Sequence, residues 1–360
     1  MLNPGDTIGI LGGGQLGRMM ALAAAKLGLK AHIYCPDENS PAFDVTPYKT
    51  VADYEDEAAL EAFAQEVSVV TYEFENIPAL AVDFLKARLS VLPNDNVLKV
   101  SQDRLTEKNF FNTIDIKTAG FAPIDNQDDL HQAVESLGLP ALLKTRRFGY
   151  DGKGQKFLKT PEDLAGAFEE IGAQPAILEA FVPFEREISV IAARNEQGQT
   201  VSYDIAENVH KDQILNTTTV PANIDANIAA QARKIGESVA AELDYVGVLA
   251  VELFLLPESF ENRLVANEMA PRVHNSGHWT EAACLVSQFE QHIRAVAGWP
   301  LGSSERHSDV VMTNLIGDDI EQRSQLLENS QISYHSYGKA ETRQGRKMGH
   351  FNKISQRSHD

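Results

Sequence analysis

Short apolar runs and amphipathic stretches alternate through the first ninety-odd residues. Residues 7–11, 31–34 and 67–71 are apolar enough for buried strands, and 91–92 begin another that Pro93 stops. Between them, 18–27, 57–66 and 79–88 have helical composition, and Gly28 is a C-cap signal. This βαβα rhythm predicts a doubly wound parallel sheet. Residues 94–113 look helical and lead into a different pattern. Strands are predicted at 141–145, 156–158, 176–181 and 185–194, with a hairpin turn at 195–198. A long amphipathic helix covers 226–243, a strand pair 246–256 and 263–269, and further helices 161–171 and 279–298. The last segment reads as strand 310–316, helix 320–328, strand 332–337 and a cationic tail. The chain is therefore expected to be α/β followed by α+β, with units at 1–100, 101–298 and 299–360.

Composition narrows the partners. Hydrophobic residues make up 43% and charged residues 23%, as in an ordinary globular protein. The formal net charge is −19, which argues against nucleic acid or an anionic membrane as partner. Cys35 and Cys284 are the only cysteines, so neither a disulfide framework nor a CxxC metal motif is present. The N-terminus lacks a basic n-region, and no apolar stretch approaches a transmembrane length; a reducing cytoplasm is the expected compartment.

Several polar stretches interrupt this frame. Gly12, Gly14 and Gly17 fit G-x-G-x-x-G, and Asp37 lies twenty residues after Gly17. That spacing matches a dinucleotide fingerprint. A tight strand-to-helix turn needs glycine whatever it binds, and the helix N-terminus suits any phosphate. After the third strand, Thr71-Tyr-Glu-Phe-Glu-Asn76 places Glu73 and Asn76 where such a ligand would reach, although Asn76 also suits a helix cap. Arg104 and Lys108 share a helix face at i, i+4. The glycine-rich, cationic loop from Arg146 to Gln155 follows Lys144 and suits a polyphosphate, without being a Walker A loop. Glu252 on one predicted strand and Glu268 on the next either bind Mg²⁺ between them or pair with cations. Residues 270–280 concentrate Arg272, His274, Asn275 and His278 around a Pro and a Gly. From Lys339 to Arg357 there are six Lys or Arg and one acid, a candidate anion trap or a solvated tail.

The sequences Gly12-Gly-Gly-Gln-Leu-Gly-Arg-Met19, Thr71-Tyr-Glu-Phe-Glu-Asn76, Phe148-Gly-Tyr-Asp-Gly-Lys-Gly-Gln155, Ala270-Pro-Arg-Val-His-Asn-Ser-Gly-His-Trp-Thr280 and Gly345-Arg-Lys-Met-Gly-His350 resemble the ATP-grasp enzymes, and within them the N5-carboxyaminoimidazole ribonucleotide synthetases. The resemblance spans essentially the whole chain. Lys153 departs from the arginine often found there, losing a planar bidentate donor. The resemblance implies a pre-ATP-grasp domain, an ATP-grasp domain and a small C-terminal domain. It implies carboxylation of aminoimidazole ribonucleotide by bicarbonate and ATP, through carboxyphosphate, in purine biosynthesis. It assigns ATP to Arg104, Lys144, Gly149, Tyr150, Asp151, Gly152, Lys153, Gly154 and Gln155, to Glu179, Ala180, Phe181 and Val182 around adenine, and to Glu187, His210, Asn267 and Glu268. Glu252 and Glu268 would hold Mg²⁺, or Mn²⁺ in its place. Gly14, Gln15, Leu16, Glu73 and Asn76 would hold the ribonucleotide, and Lys339, Arg346 and Lys347 its phosphate. Arg272, His274, Asn275, Asp151 and Lys153 would lie at the reacting groups. A homodimer is implied, without NAD or biotin. The alternatives are another ATP-grasp ligase such as a formate-dependent transformylase, an NAD-dependent dehydrogenase, and a nucleotide sensor without turnover.

Overall fold

The computed structural model describes residues 1–149 and 153–358. The first unit is a parallel four-stranded sheet of β1 (Thr7–Leu11), β2 (Lys30–Tyr34), β3 (Tyr48–Thr50) and β4 (Val69–Tyr72), in the order β3-β2-β1-β4. Its helices are α1 (Gln15–Lys26), α2 (Glu57–Glu66) and α3 (Ala79–Lys86). Met20, Ala21 and Ala24 bury one face of α1 in the main core cluster, which also holds Phe289 and Ile293 from far along the chain.

The predicted helix 94–113 is two helices, α4 (Asp95–Ser101) and α5 (Arg104–Thr113). Asp103 breaks it: its backbone is extended, and its side chain accepts the N–H groups of Leu105 and Thr106. An Asp competes with helical continuation by capping the next turn, so the break falls on it.

An antiparallel four-stranded sheet follows, in the order β5-β8-β6-β7. It comprises β5 (Phe121–Ile124), β6 (Ala141–Thr145), β7 (Gln155–Leu158) and β8 (Ala176–Ala180), with α6 (Gln127–Leu137) and α7 (Ala167–Glu170) beside it. The predicted helix 161–171 is a 3-10 turn and α7, separated at Gly166, whose φ is +70°.

The third sheet has nine strands. Its members are β9 (Arg186–Arg194), β10 (Thr200–Ser202), β11 (Ala206–Lys211), β12 (Ile214–Val220), β13 (Gly247–Leu255), β14 (Leu264–Ala270), β15 (Ser308–Ile316), β16 (Ile332–Ser336) and β17 (Lys347–Gln356). Its order is β14-β13-β9-β11-β12-β15-β17-β16, with β10 on β9. Helix α8 (Ala226–Glu242) packs on it. The predicted helix 279–298 is α9 (Thr280–Ala283) and α10 (Gln288–Val296). Cys284 between them is extended and bridges to Arg306, and Ser287 caps α10 through the Glu290 N–H. The predicted helix 320–328 begins as a 3-10 turn and ends as α11 (Arg323–Leu327).

The cationic tail is not a tail. Residues 347–356 form β17, paired with both β15 and β16. The C-terminal strands thereby continue the central sheet. Gly349 permits the pairing, because a Cβ there would lie 2.4 Å from the His335 carbonyl oxygen. No helix among the described residues is long and apolar enough to cross a membrane.

Candidate active site

A cleft of about 530 Å³ opens between the two antiparallel sheets and the end of the first unit. Arg104, Lys144, Gly149, Lys153, Gln155, Glu187, His210, Asn267 and Glu268, all expected at ATP, line it. So do Glu252, Asn76, Arg272, His274, Asn275 and Lys347. Residues more than two hundred positions apart meet here because the sheet register brings them together. Tyr150, Asp151 and Gly152 lie outside the described residues.

Glu252 and Glu268 are direct register partners on β13 and β14. Burial, and then repulsion from Glu268, push the Glu252 carboxyl up to about 7. Glu268 opposes the same burial with Arg104, whose Nη1 donates to it at 2.9 Å, and is held down to about 2. Of this pair, Glu268 is matched with a cation, whereas Glu252 has only His274 Nε2 near it at 3.4 Å. Glu107 adds a third carboxyl. It is 2% exposed, accepts the Met269 N–H at 2.7 Å, and is pushed up to about 8 by burial and by Glu268.

At the far end, Arg272 Nε donates to Glu75, and the guanidinium also contacts the Val273 carbonyl. His274 Nδ1 lies 2.9 Å from Ser276 Oγ, and its Nε2 lies 3.4 Å from Glu252 Oε1. Burial, with the Arg272 and Lys347 cations, lowers His274 to about 3, so the approach to Glu252 is not an ion pair. Asn275 and Asn314 exchange reciprocal amide bonds of 2.9 and 2.7 Å. His210 Nδ1 lies 3.0 Å from Glu187 Oε2, which outweighs burial and raises the imidazole.

Some expected contacts are placed elsewhere. Glu179 does not face the cleft. It is 3% exposed, with Lys144 Nζ at 3.0 Å and Lys108 Nζ at 3.4 Å from its Oε2. A carboxylate two residues from a linker reads like a ligand group; the fold uses it to hold two lysines. The N–H groups of Ala180 and Phe181 are bound to Gly120 and Pro140 carbonyls at 2.8 and 3.1 Å, so neither is available to an adenine edge. Gly154 and Val182 are not on the cleft wall, and Phe181 packs against Phe157.

The glycine turn is also altered. Glu73 accepts the Gly14 N–H at one oxygen and the Gly17 N–H at the other, the latter at 2.7 Å. Two donors at the N-terminus of α1 therefore face the protein's own carboxylate instead of a bound phosphate. Gly14 is needed for this, since a Cβ there would lie 2.6 Å from Glu73 Oε1. Leu16 is a core side chain, and Gln15 is half-buried. The 338–347 segment does fold back to this turn. Gly338 sits against Arg18 and Asp44, and the Lys339 charge acts on Glu73. Lys339 Nζ holds the Lys347 carbonyl at 2.7 Å, and Arg346 Nη1 the Glu341 carbonyl at 2.9 Å.

Sequence alone assigns no role at the site to Lys108, Glu75 or Glu107. Lys108 had a signal in its i, i+4 spacing with Arg104, and Glu75 in its place within the 71–76 stretch. Glu107 had none, because an acid in the first helical turn looks like an ordinary dipole partner. A separate group, Glu281, His335 and His350, brings ligand atoms within 4.8 Å of one another. The two imidazoles stack face to face at 4.4 Å and 7°, so their in-plane lone pairs do not converge on one ion.

Three family models match the chain: the ribonucleotide synthetase preATP-grasp domain over residues 6–102, the ATP-grasp domain over 109–289, and the phosphoribosylaminoimidazole carboxylase C-terminal domain over 310–360. The N5-carboxyaminoimidazole ribonucleotide synthase of Brucella melitensis is 53% identical over 359 residues, covering 99% of this chain and 98% of its own. A crystal structure of an ADP complex of N5-carboxyaminoimidazole ribonucleotide synthetase is 42% identical, with TM-score 0.95, covering 99% of this chain and 94% of that one. An Aspergillus clavatus N5-carboxyaminoimidazole synthase, in complex with ADP and 5-aminoimidazole ribonucleotide, is 28% identical with TM-score 0.91, covering 98% and 94%.

Proposed function

The chain belongs to the N5-carboxyaminoimidazole ribonucleotide synthase family, and on that premise we propose how its cleft carries out the family's reaction. The protein is an ATP-dependent carbon–nitrogen ligase that carboxylates aminoimidazole ribonucleotide in purine biosynthesis. The observation that carries the assignment is the convergence in one cleft of phosphate-binding cations, paired acids, and an Arg–His–Lys group.

Arg104, Lys144, Lys153 and the 149–155 loop hold the ATP phosphates, with Tyr150, Asp151 and Gly152 assigned from the motif alone. Glu187 takes the ribose hydroxyls beside His210; the adenine role of 179–182 rests on the motif alone, since none of these residues lines the cleft. Asn267 lies beside the phosphates. Glu252 and Glu268 fit a magnesium ion, because a dication at the pair would offset the burial and the repulsion that together raise Glu252. When bound, the ion neutralises charge on the transferring phosphoryl group. Bicarbonate is the carboxyl donor. Its oxygen attacks the γ-phosphorus as the bond to ADP breaks, giving carboxyphosphate. The substrate amine then forms its bond to the carboxyl carbon, phosphate departs, and the amine loses a proton. Arg272, held by Glu75, and His274, with Asn275 beside it, lie at the carboxyl group. Lys153 lines the same cleft, and Asp151, outside the described residues, is assigned there from the motif alone. Asn76, the 14–16 turn and Glu73 border the ribonucleotide, and Lys339, Arg346 and Lys347 supply cations for its phosphate.

The three units 1–100, 101–298 and 299–360 thus contribute substrate loop, nucleotide cleft and phosphate cations, in a homodimer that light scattering would detect. Coupled measurement of ADP release tests the reaction. Release that needs both bicarbonate and aminoimidazole ribonucleotide is expected. Release that needs formate, or does not depend on the ribonucleotide, refutes it.

A further inference from the structure

Four polar side chains below the cleft have no part in these assignments. Thr218, Asn208, Ser189 and Ser276 are each 5% exposed or less. Asn208 and Thr218 are register partners on β11 and β12, and Ser189 on β9 is the register partner of Glu252. All three therefore lie on the sheet face that carries Glu252. Their side chains form one file. Thr218 Oγ1 donates to Asn208 Oδ1 at 2.9 Å, and Asn208 Nδ2 donates to Ser189 Oγ at 2.9 Å. Ser189 Oγ donates to Ser276 Oγ at 2.8 Å, and Ser276 Oγ meets His274 Nδ1 at 2.9 Å. Buried hydroxyl and amide groups cost stability unless every one is bonded, and apolar side chains of the same shape would fill the core equally well.

One bond in this file cannot be reversed. The Ser276 backbone N–H points at His274 Nδ1 at 3.3 Å. Nδ1 must present a lone pair to it, so the ring proton is on Nε2. The shorter hydroxyl contact follows: Ser276 Oγ already receives the Ser189 hydrogen, which leaves its own hydrogen directed to Nδ1. Which imidazole nitrogen bears the proton is set by the bond the other one makes. We propose that Thr218, Asn208, Ser189 and Ser276 are a positioning relay that holds His274 as its Nε2–H tautomer, with that N–H on the cleft side, where Glu252 Oε1 lies 3.4 Å from Nε2. The proposal rests on the placement of His274 at the carboxyl group. It makes His274 a hydrogen-bond donor to a carboxylate or phosphate oxygen, and removes it as a proton acceptor at Nε2.

The test uses protein with ¹⁵N-labelled histidine, together with steady-state kinetics. The wild type is expected to show His274 as the Nε2–H tautomer. Ser189→Ala cuts the file without touching any ligand. It should mix the two tautomers and lower kcat about tenfold to a hundredfold, the range for losing a partner that orients a functional histidine. KM for ATP should stay unchanged. If Ser189→Ala does not fold, Thr218→Val keeps the shape, and the same two readouts should move in the same direction. An Nδ1–H signal in the wild type, or a folded variant with wild-type kcat and a wild-type tautomer, overturns the relay. The spectrum is read on resting protein. A failed carboxylase assignment would therefore show as missing ribonucleotide-dependent ADP release beside an intact Nε2–H signal.

Discussion

Glu179→Gln is expected to destabilise the protein by about 3 kcal/mol near neutral pH. The Glu179 side chain is 4% exposed and that of Lys108 is 1% exposed. Burial alone would raise the carboxyl, but the Lys144 and Lys108 charges and the Lys144 hydrogen bond hold it down to about 2. The distance between that value and the ordinary 4.5 corresponds to about 3 kcal/mol of differential stabilisation. Removing one partner of a buried pair costs about 3–5 kcal/mol by a separate route, because it leaves a charge without compensation. Here that charge is Lys108, which keeps the Asn267 carbonyl at 2.8 Å and the weaker influence of Glu107, itself pushed toward its neutral form by burial. The folded value is depressed, so the contribution is complete above the unfolded value of about 4.5. It is lost as pH falls through about 2. Urea titrations followed by fluorescence of Trp279 and Trp299 measure it, with wild type and variant compared at neutral pH and at several acid pH values. The two curves should draw together only below about pH 4.5. A neutral-pH loss under about 1 kcal/mol, the size of an exposed pair, refutes the reasoning. So does a gap that ignores acid. Freed from Glu179, Lys144 should also hold ATP less well, and KM for ATP should rise.

Glu268→Gln should abolish turnover with the fold intact, since it removes a hard anionic ligand; near-wild-type activity at ordinary Mg²⁺ would count against the metal assignment. Calorimetry should show ATP or ADP binding and no NAD(H) binding, because Glu73 fills the glycine turn. Micromolar NAD affinity lost on substituting Gly14 would restore the dehydrogenase reading. Arg346→Ala should raise KM for the ribonucleotide about tenfold to a hundredfold, with KM for ATP unmoved. An equal rise for both substrates, or none, would return Arg346 to its bond with the Glu341 carbonyl. Lys347→Ala should lower kcat as well, since Lys347 lines the nucleotide cleft.

Much of this protein is written locally. The run 57–66 has the helix period and an Asp immediately before it, and the helix has those limits, with Asp56 accepting the Ala59 N–H. The parallel first sheet and the antiparallel remainder follow from the spacing of apolar runs. The residue types at 144–155, 252, 268 and 270–275 announce phosphate, cation and carboxyl chemistry by themselves. Ligand-binding side chains must protrude from interrupted structure, so they leave a trace in a single stretch of sequence.

What the sequence does not decide is who faces whom. Glu73 reads as a ligand group, and nothing local announces that it also closes the glycine turn 56 residues away. Glu179 reads as an adenine neighbour and instead holds two lysines. The charges of 339–357 read as a tail, yet 347–356 is an interior strand whose His350 and Asn352 are fully buried. Polar residues inside a sheet are tolerated only where partners from distant strands meet them. Periodicity cannot see those partners. His274 was marked from its neighbours in sequence, but its tautomer depends on Ser189, Asn208 and Thr218, set on three other strands by pairing register. Local propensity fixes the elements, because it acts over a few residues. Hydrogen-bond partners and proton positions belong to the packed structure, because they depend on ångström distances that only the assembled sheet defines.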